Sequence, residues 1–369
     1  FKVTGATRPK PRWRARLTER PMRYDSALVS GSPPARAAML VATTMLLLAV
    51  LAGAAIAGAQ LLGRGQTHVV AADGSGDFAT IAEAIAATAD GDTVLVRPGT
   101  YAESFTVRTD ITLRGDGPRE DVVIAPMRSD VEVVVSGEEV VALGMPVGVD
   151  LELVDAVIER VELQAAVPMV GFLANGGRVV LRDVGVSTAE TDGKANGLSL
   201  LVAGGSSVTA TDVDFGQAVQ VREAASLAID ESVLAGVLEA EGPGRIDVIG
   251  SHFAAGGGLQ VSEHATGTVH GNVFESATVV VAGASEIELR GNSFTDAAAT
   301  AITLTNEGSQ AIIVGNDVRR SNAGIAIGPG TTATVTDNTI CGNQTNLLAS
   351  NAASTDIHDN VISETCPGD

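Results

Sequence analysis

Aromatic side chains are scarce in this chain: 8 Phe, 2 Tyr and 1 Trp among 369 residues. Trp13 and Tyr24 lie within the first 36 positions, so Tyr101 is the only Tyr or Trp beyond them. A cleft that grips a sugar polymer offers broad aromatic faces to the rings, and little here could build one. Histidine is also thin, at 5 residues. Only His270 and His358 share a phase of the repeat described below, and four coils separate them, too far for a ligand pair. No His-Glu-x-x-His, Cys-x-x-Cys, phosphate-loop or Gly-x-Ser-x-Gly segment occurs. Metalloprotease, zinc-finger, P-loop and serine-hydrolase chemistries lose their usual signatures with them. No metal site or cofactor is assigned on this basis.

Positive charge is in short supply and unevenly placed. The formal net charge is −20, yet residues 1–36 hold nine Lys or Arg against two acids. Residues 37–369 carry 15 bases and 42 acids. A basic stripe able to track phosphates exists only in the short N-terminal arm, so no nucleic-acid partner is expected. That arm, residues 1–36, contains Pro33-Pro34 and no apolar periodicity, and reads as a disordered cytoplasmic segment. The chain begins with Phe1 rather than Met, which leaves room for sequence upstream.

No charge interrupts residues 37–63, whose centre reads Met45-Leu46-Leu47-Leu48-Ala49-Val50-Leu51. A run of this length spans a hydrocarbon core of about 30 Å with some tilt. Arg14, Arg16, Arg20, Arg23 and Arg36 precede it, so the N-terminus is predicted in the cytoplasm and the remainder outside. The competing reading is a cleaved signal peptide, with Ala57-Gly58-Ala59 before Gln60 as a small-x-small site and a secreted product.

What the chain does have is a repeat. Asn272, Asn292, Asn316, Asn338 and Asn360 recur at intervals of 20, 24, 22 and 22 residues. Gly or Asp precedes each, an apolar residue follows two places on, and a short alternating run such as Glu286-Ile287-Glu288-Leu289 lies upstream. This period with β-type alternation predicts an all-β fold: a single right-handed parallel β-helix over residues 64–369. The asparagines are expected to stack in one turn, tolerating a left-handed conformation and bonding coil to coil. The apolar row continues back through Phe274, Phe253, Leu234 and Phe215 to Val186 and Ile158. Insertions lengthen the early coils, among them the polar loop Ser187–Gly197.

The start of the solenoid carries its own signature: Asp73-Gly74-Ser75-Gly76-Asp77-Phe78, Thr80-Ile81, Ala84-Ile85 and Pro98-Gly99-Thr100-Tyr101-Ala102-Glu103. Thr80 with Glu83 fits a capping box, and a helix near 80–89 is expected to cover the first coil. The stretch resembles the opening of the pectinesterases, within the pectin-lyase-like β-helix superfamily. The likeness runs on through Ile111-Thr112-Leu113-Arg114-Gly115 to Val123-Ile124. It implies the fold and, for an intact family member, glycan esterase chemistry. The pectinesterase catalytic segments are a poor match. Gln217-Ala218-Val219 and Asp214-Phe215 are similar to two of them but stand in the wrong order, and Gln-Asp-Thr and Gly-Arg-Pro-Trp are missing.

Three places before each apolar anchor lies a second row: Asp155, Asp183, Asp212 and Glu231, then Gly250, Gly271, Gly291 and Gly315, then Asp337 and Asp359. Stacking at about 4.8 Å would make such acids repel. Either they are solvated turn residues or a hard cation such as Ca²⁺ bridges them. No catalytic residue is assigned; Asp183, Asp212 and Glu231 are the nearest candidates, with no Arg or Lys repeating beside them. Cys341 and Cys366 are the only cysteines and are expected to pair outside the cell. These features favour a membrane-anchored, non-catalytic binding, adhesion or sensor module with a cell-surface glycan or protein ligand. The alternative is a carbohydrate-active enzyme of the pectin-lyase-like type, a pectinesterase, lyase or glycoside hydrolase. A third reading places the activity upstream of Phe1.

Overall fold

A computed structural model describes residues 65–366, apart from 127–131, 137–138, 166–168, 189–196 and 352. The basic arm, the apolar run 37–63 and most of the polar loop Ser187–Gly197 lie outside the described residues. Among the described residues no helix is long and apolar enough to cross a membrane.

Alternating sequence becomes a solenoid with three sheet faces. Face A follows strands such as Thr266–His270, Glu286–Arg290, Gln310–Val314 and Thr332–Thr336, each paired in parallel with its successor. Face B carries the short strands after the asparagines, including Val273–Glu275, Ser293–Thr295 and Asp317–Arg319. Face C holds Ala218–Val221, Val237–Ala240, Gly258–Val261 and Thr278–Val281. The two long strands Glu139–Ala165 and Val170–Thr188 pass through all three faces. Their corners are marked by positive φ at Leu153 and Arg160, and at Gly176, Gly177 and Asp183. An antiparallel hairpin pairs Glu132–Ser136 with the start of Glu139–Ala165.

Every second residue points inward. The anchor row of face B is the clearest case: Phe215, Leu234, Phe253, Phe274, Phe294, Val318 and Ile340 are all fully buried. Phe274 stacks between Phe253 and Phe294, with ring centroids 4.2 and 4.4 Å apart and planes within 7° and 11°. Upstream, the row differs from the expected one. Val186 stands beside Leu163, whereas Ile158 belongs to face A beside Leu181. Two alternating runs flank a left-handed corner at Arg160 (φ 56°). Arginine gives no turn signal, so the break between the runs is invisible in the sequence.

The asparagines form a continuous ladder. The Nδ2 and backbone N–H of Asn272, Asn292, Asn316 and Asn338 each donate to Oδ1 of the next asparagine at 2.8–3.0 Å. Nδ2 also donates to a face A carbonyl, for example Asn316 to Leu289 at 2.9 Å. The left-handed residue is the one before each asparagine, Gly271, Gly291, Gly315, Asp337 or Asp359, rather than the asparagine itself. Serines extend the ladder where asparagine stops: Ser251 donates its N–H to Asn272 Oδ1 at 2.8 Å, and Ser251 Oγ accepts from Ser232 N–H at 3.1 Å. At the opposite corner of the early coils a second ladder runs through aspartates. Asp90 accepts from Asp110 N–H, Asp110 from Asp155 N–H, and Asp155 from Arg178 N–H, at 3.2, 2.9 and 2.9 Å. Asp155 therefore belongs to this corner and not to the acidic row predicted from its spacing.

Both ends of the described solenoid are tied. Cys341 and Cys366 form a disulfide with Cα atoms 5.0 Å apart. Closing a loop of 25 residues stabilises the last coil by about 3–4 kcal/mol in the chain-entropy model. Asn346 Nδ2 adds a bond to Ser363 O at 2.8 Å. At the other end a short helix, α1 (Ile81–Ala86), buries Ile81, Ala84 and Ile85 in the common core. Thr80 Oγ1 accepts from Glu83 N–H, and Glu103 accepts from the N–H groups of Ile81 and Ala82 at 2.8 and 2.9 Å. The helix stops short of Ala89. Thr88 donates its hydroxyl to Ile85 O, and Asp92 takes the Ala89 N–H, so the backbone turns away.

Candidate functional site

The resemblance-bearing stretch turns out to be construction rather than chemistry. Asp73 accepts from the N–H and O–H of Ser75, which hold its carboxyl below the usual range. Asp77 accepts from Val69 N–H, and Arg97 Nη1 donates to Ser75 Oγ at 2.8 Å. Tyr101, buried, donates its hydroxyl to Arg97 O at 2.9 Å, and Glu103 caps α1. Nearby, Asp92 is buried and held low chiefly by the Ala89 N–H, with Gln66 N–H and His68 helping. These side chains shape the first coil.

Chemistry concentrates on face B of the early coils. Between Gly115 and Val122 the chain leaves the coil in a tight excursion, with Pro118 preceding a one-turn 3₁₀ segment, Arg119–Asp121. The turn lays Arg119 across three neighbouring coils. Its guanidinium lies 3.9 Å from Glu162, 3.8 Å from Asp183 and in direct hydrogen-bonded contact with Asp214. Glu162 and Asp214 occupy the outward column of face B, one coil either side of Gly185. Asp183 comes from the left-handed corner just before it. Arg119 and Glu162 are mostly buried, at 17% and 16% side-chain exposure, while Asp183 and Asp214 are half exposed.

Burial and charge oppose each other here. Burial pushes the Glu162 carboxyl up from its ordinary value; Arg119 and a bond with Gln164 pull it down, and Asp214 and Glu120 push it up again. Asp183 is likewise raised, first by burial and then by Asp212 and Glu120, against the pull of Arg119. Burial alone would weaken the charge on Arg119, but Asp214, Glu162 and Asp183 more than offset it and raise its pKa. A carboxyl with a raised pKa beside a charged guanidinium and two further carboxylates is a known pattern for acid–base work.

The candidate row resolves as follows. Asp183, Asp212 and Glu231 share the left-handed corner, with φ of 50°, 55° and 47°, and the fourth member is Arg160 in place of Asp155. Asp183 reaches Arg119, so the row has the basic partner that the sequence did not reveal. Asp212 bears on the site only through its charge on Asp183. Among the described residues no group of three or more His, Cys, Asp or Glu side chains converges to hold a metal ion. Of the pectinesterase-like fragments, Asp214 faces outward at Arg119, while Gln217 is buried at the face B to face C corner, its N–H bonded to Ser199 Oγ at 2.9 Å. Arg119 lies on an excursion outside the repeat, and Glu162 shares its column with Asp214 and Val273 only across coils whose lengths differ, so neither is visible from the later period. The one local hint was the charged triplet Arg119-Glu120-Asp121 behind Gly117-Pro118.

A family model described as "Right handed beta helix region" matches residues 198–367. A search of curated proteins finds no match. Solved structures with a similar course include XylC in complex with xylose, at 10% identity and TM-score 0.47, covering 81% of this chain and 86% of that one. Pectin methylesterase from carrot aligns at 14% identity and TM-score 0.39 over 80% and 89%. The GH136 lacto-N-biosidase from Eubacterium ramulus aligns at 11% identity and TM-score 0.47 over 83% and 69%. The architecture is a right-handed parallel β-helix.

Proposed function

We propose that this β-helix is a carbohydrate-active protein working on its outer face around Arg119. The observation that carries the proposal is the convergence of Glu162, Asp183 and Asp214, from three successive coils, on one mostly buried guanidinium. Glu162, raised by burial, is the proton donor to a leaving glycosidic oxygen. Asp214, half exposed at the mouth of the cluster, is the carboxylate that activates water or meets the developing positive charge. Two carboxyl groups with separate environments are the minimal equipment for glycosidic cleavage. Arg119 orients both.

The excess of 42 acids over 15 bases beyond residue 36 repels polyuronates from the whole surface. The substrate class is therefore a neutral or amino-sugar glycan, recognised through hydroxyl and amine groups rather than through carboxylates. In this reading residues 37–63 tether the domain to a membrane, with the β-helix facing outward towards surface glycans.

The test is turnover of a panel of neutral and amino-sugar oligosaccharides, followed as new reducing ends by mass spectrometry. Glu162→Gln should lower the rate by about 100-fold or more, the usual contribution of a positioned general acid. Asp214→Asn should lower it comparably. Binding without cleavage would return the protein to a glycan-binding module, and turnover untouched by both changes would place the chemistry elsewhere.

A further inference from the structure

We propose that Gly185 is a positioning residue: the side chain it lacks leaves the slot in which the Glu162 carboxylate lies, between two coils and beside Arg119. The inference rests on the site reading above, but its evidence is separate. Gly185 stands in the outward column of face B, flanked by Glu162 on one coil and Asp214 on the other. Among the described residues, every other position of that column from Val123 to Val361 carries a side chain. The backbone does not call for glycine here, since Gly185 is absent from the positive-φ positions that mark the corners.

Space is what calls for it. A Cβ on Gly185 would overlap Glu162 Oε2 and Cδ and lie 2.8 Å from Oε1. The three atoms nearest to that Cβ all belong to one carboxylate, so the glycine and the glutamate are matched to each other. Outward side chains on a sheet ordinarily stand up from it. Glu162 instead lies down along the column, covers Gly185, which is buried, and reaches the guanidinium that also holds Asp214. The charged and titratable groups facing it are Arg119 and Glu120 from the 3₁₀ turn and Asp214 from the far coil, with Gln164 as its neighbour on the same strand. Filling the slot would stand Glu162 up into solvent, away from the low-dielectric position that raises its pKa.

Two measurements without substrate test this. In a double-mutant cycle, Gly185→Ala should cost stability in the native background and little or nothing when Glu162 is Ala, because the obstructing carboxylate is then gone. Titration of ¹³C-labelled glutamate, with the Glu162 signal identified by its loss in Glu162→Gln, should show that carboxyl moving down towards the ordinary glutamate range in Gly185→Ala. Gly216→Ala, one strand-corner away, should leave that titration unchanged. Equal cost of Gly185→Ala in both backgrounds, or an unmoved Glu162 titration, would overturn the proposal. If Gly185→Ala does not fold, recovery of folding in the Glu162→Ala/Gly185→Ala pair supports it, and continued failure overturns it. A folded Gly185→Ala with a shifted Glu162 but no change in glycan turnover would sink the enzymatic reading while leaving the positioning role intact.

Discussion

Replacing Arg119 with methionine should destabilise the early coils at neutral pH by about 1–3 kcal/mol and abolish glycan turnover. A fully buried pair that loses one partner costs about 3–5 kcal/mol; half-exposed Asp183 and Asp214 are screened by water, which reduces the figure. Methionine keeps most of the stem's packing, so the charge is what is removed. The pH dependence supplies the sharper check. Glu162 and Asp183 have folded-state pKa values raised by burial. A carboxyl raised on folding binds its proton more tightly in the native state, so its stabilising contribution is present in acid and lost as pH rises through the raised value. Removing Arg119 raises both further, widening that loss at neutral pH. The difference between native and Arg119→Met stability, read from urea unfolding, should therefore be largest near pH 7 and shrink on acidification through the carboxylate range. A difference independent of pH would mean that Arg119 acts by packing alone.

Replacing Asn316 with alanine should cost about 1–3 kcal/mol for each buried group it orphans. The clearest orphan is the Asn292 backbone N–H, whose acceptor is Asn316 Oδ1 at 2.9 Å. The Asn292 side-chain amide loses the same acceptor but keeps Val269 O. On the other side, Asn338 Oδ1 loses the Asn316 side-chain donor but keeps the backbone N–H of residue 316. The same change at Asn360, where the ladder ends and its amide is half exposed, should cost less. Urea unfolding of the two variants compares them directly; equal losses would show that position in the ladder is irrelevant.

The two predictions concern parts of the chain that differ in how openly the sequence displays them. From Phe215 onward, coils keep nearly one length, so each position repeats and its role can be inferred from five or more examples. Asn272 to Asn360 declare the inner turn because a buried amide in a stack needs a hydrogen-bonding partner on the next coil. The pairing of Cys341 with Cys366 was legible because there was no other choice of partner. In the early coils the period is broken by excursions and by corners built on unexpected residues. Arg160 takes a left-handed corner that glycine or aspartate fills elsewhere, and this shifted the inferred register from Leu163 to Ile158. Asp155 was misplaced for the same reason.

The sequence by itself determined the class of fold, the inward rows and the ladder, because all three are periodic and each is enforced locally by burial or by a buried polar group's need for a partner. It also bounded the chemistry, through a surface charge that disfavours acidic substrates and a lack of broad aromatic platforms. Only the tertiary structure decided where a site could be. Arg119 and Asp214 are 95 residues apart; Glu162, Gly185 and Asp214 share one column over coils of unequal length, and Arg119 belongs to none of its positions. They meet because coil stacking brings each turn of the chain within about 4.8 Å of the next, while a short excursion carries one arginine over the edge. Winding sets that proximity, and a one-residue change in where a corner falls would have placed different side chains there.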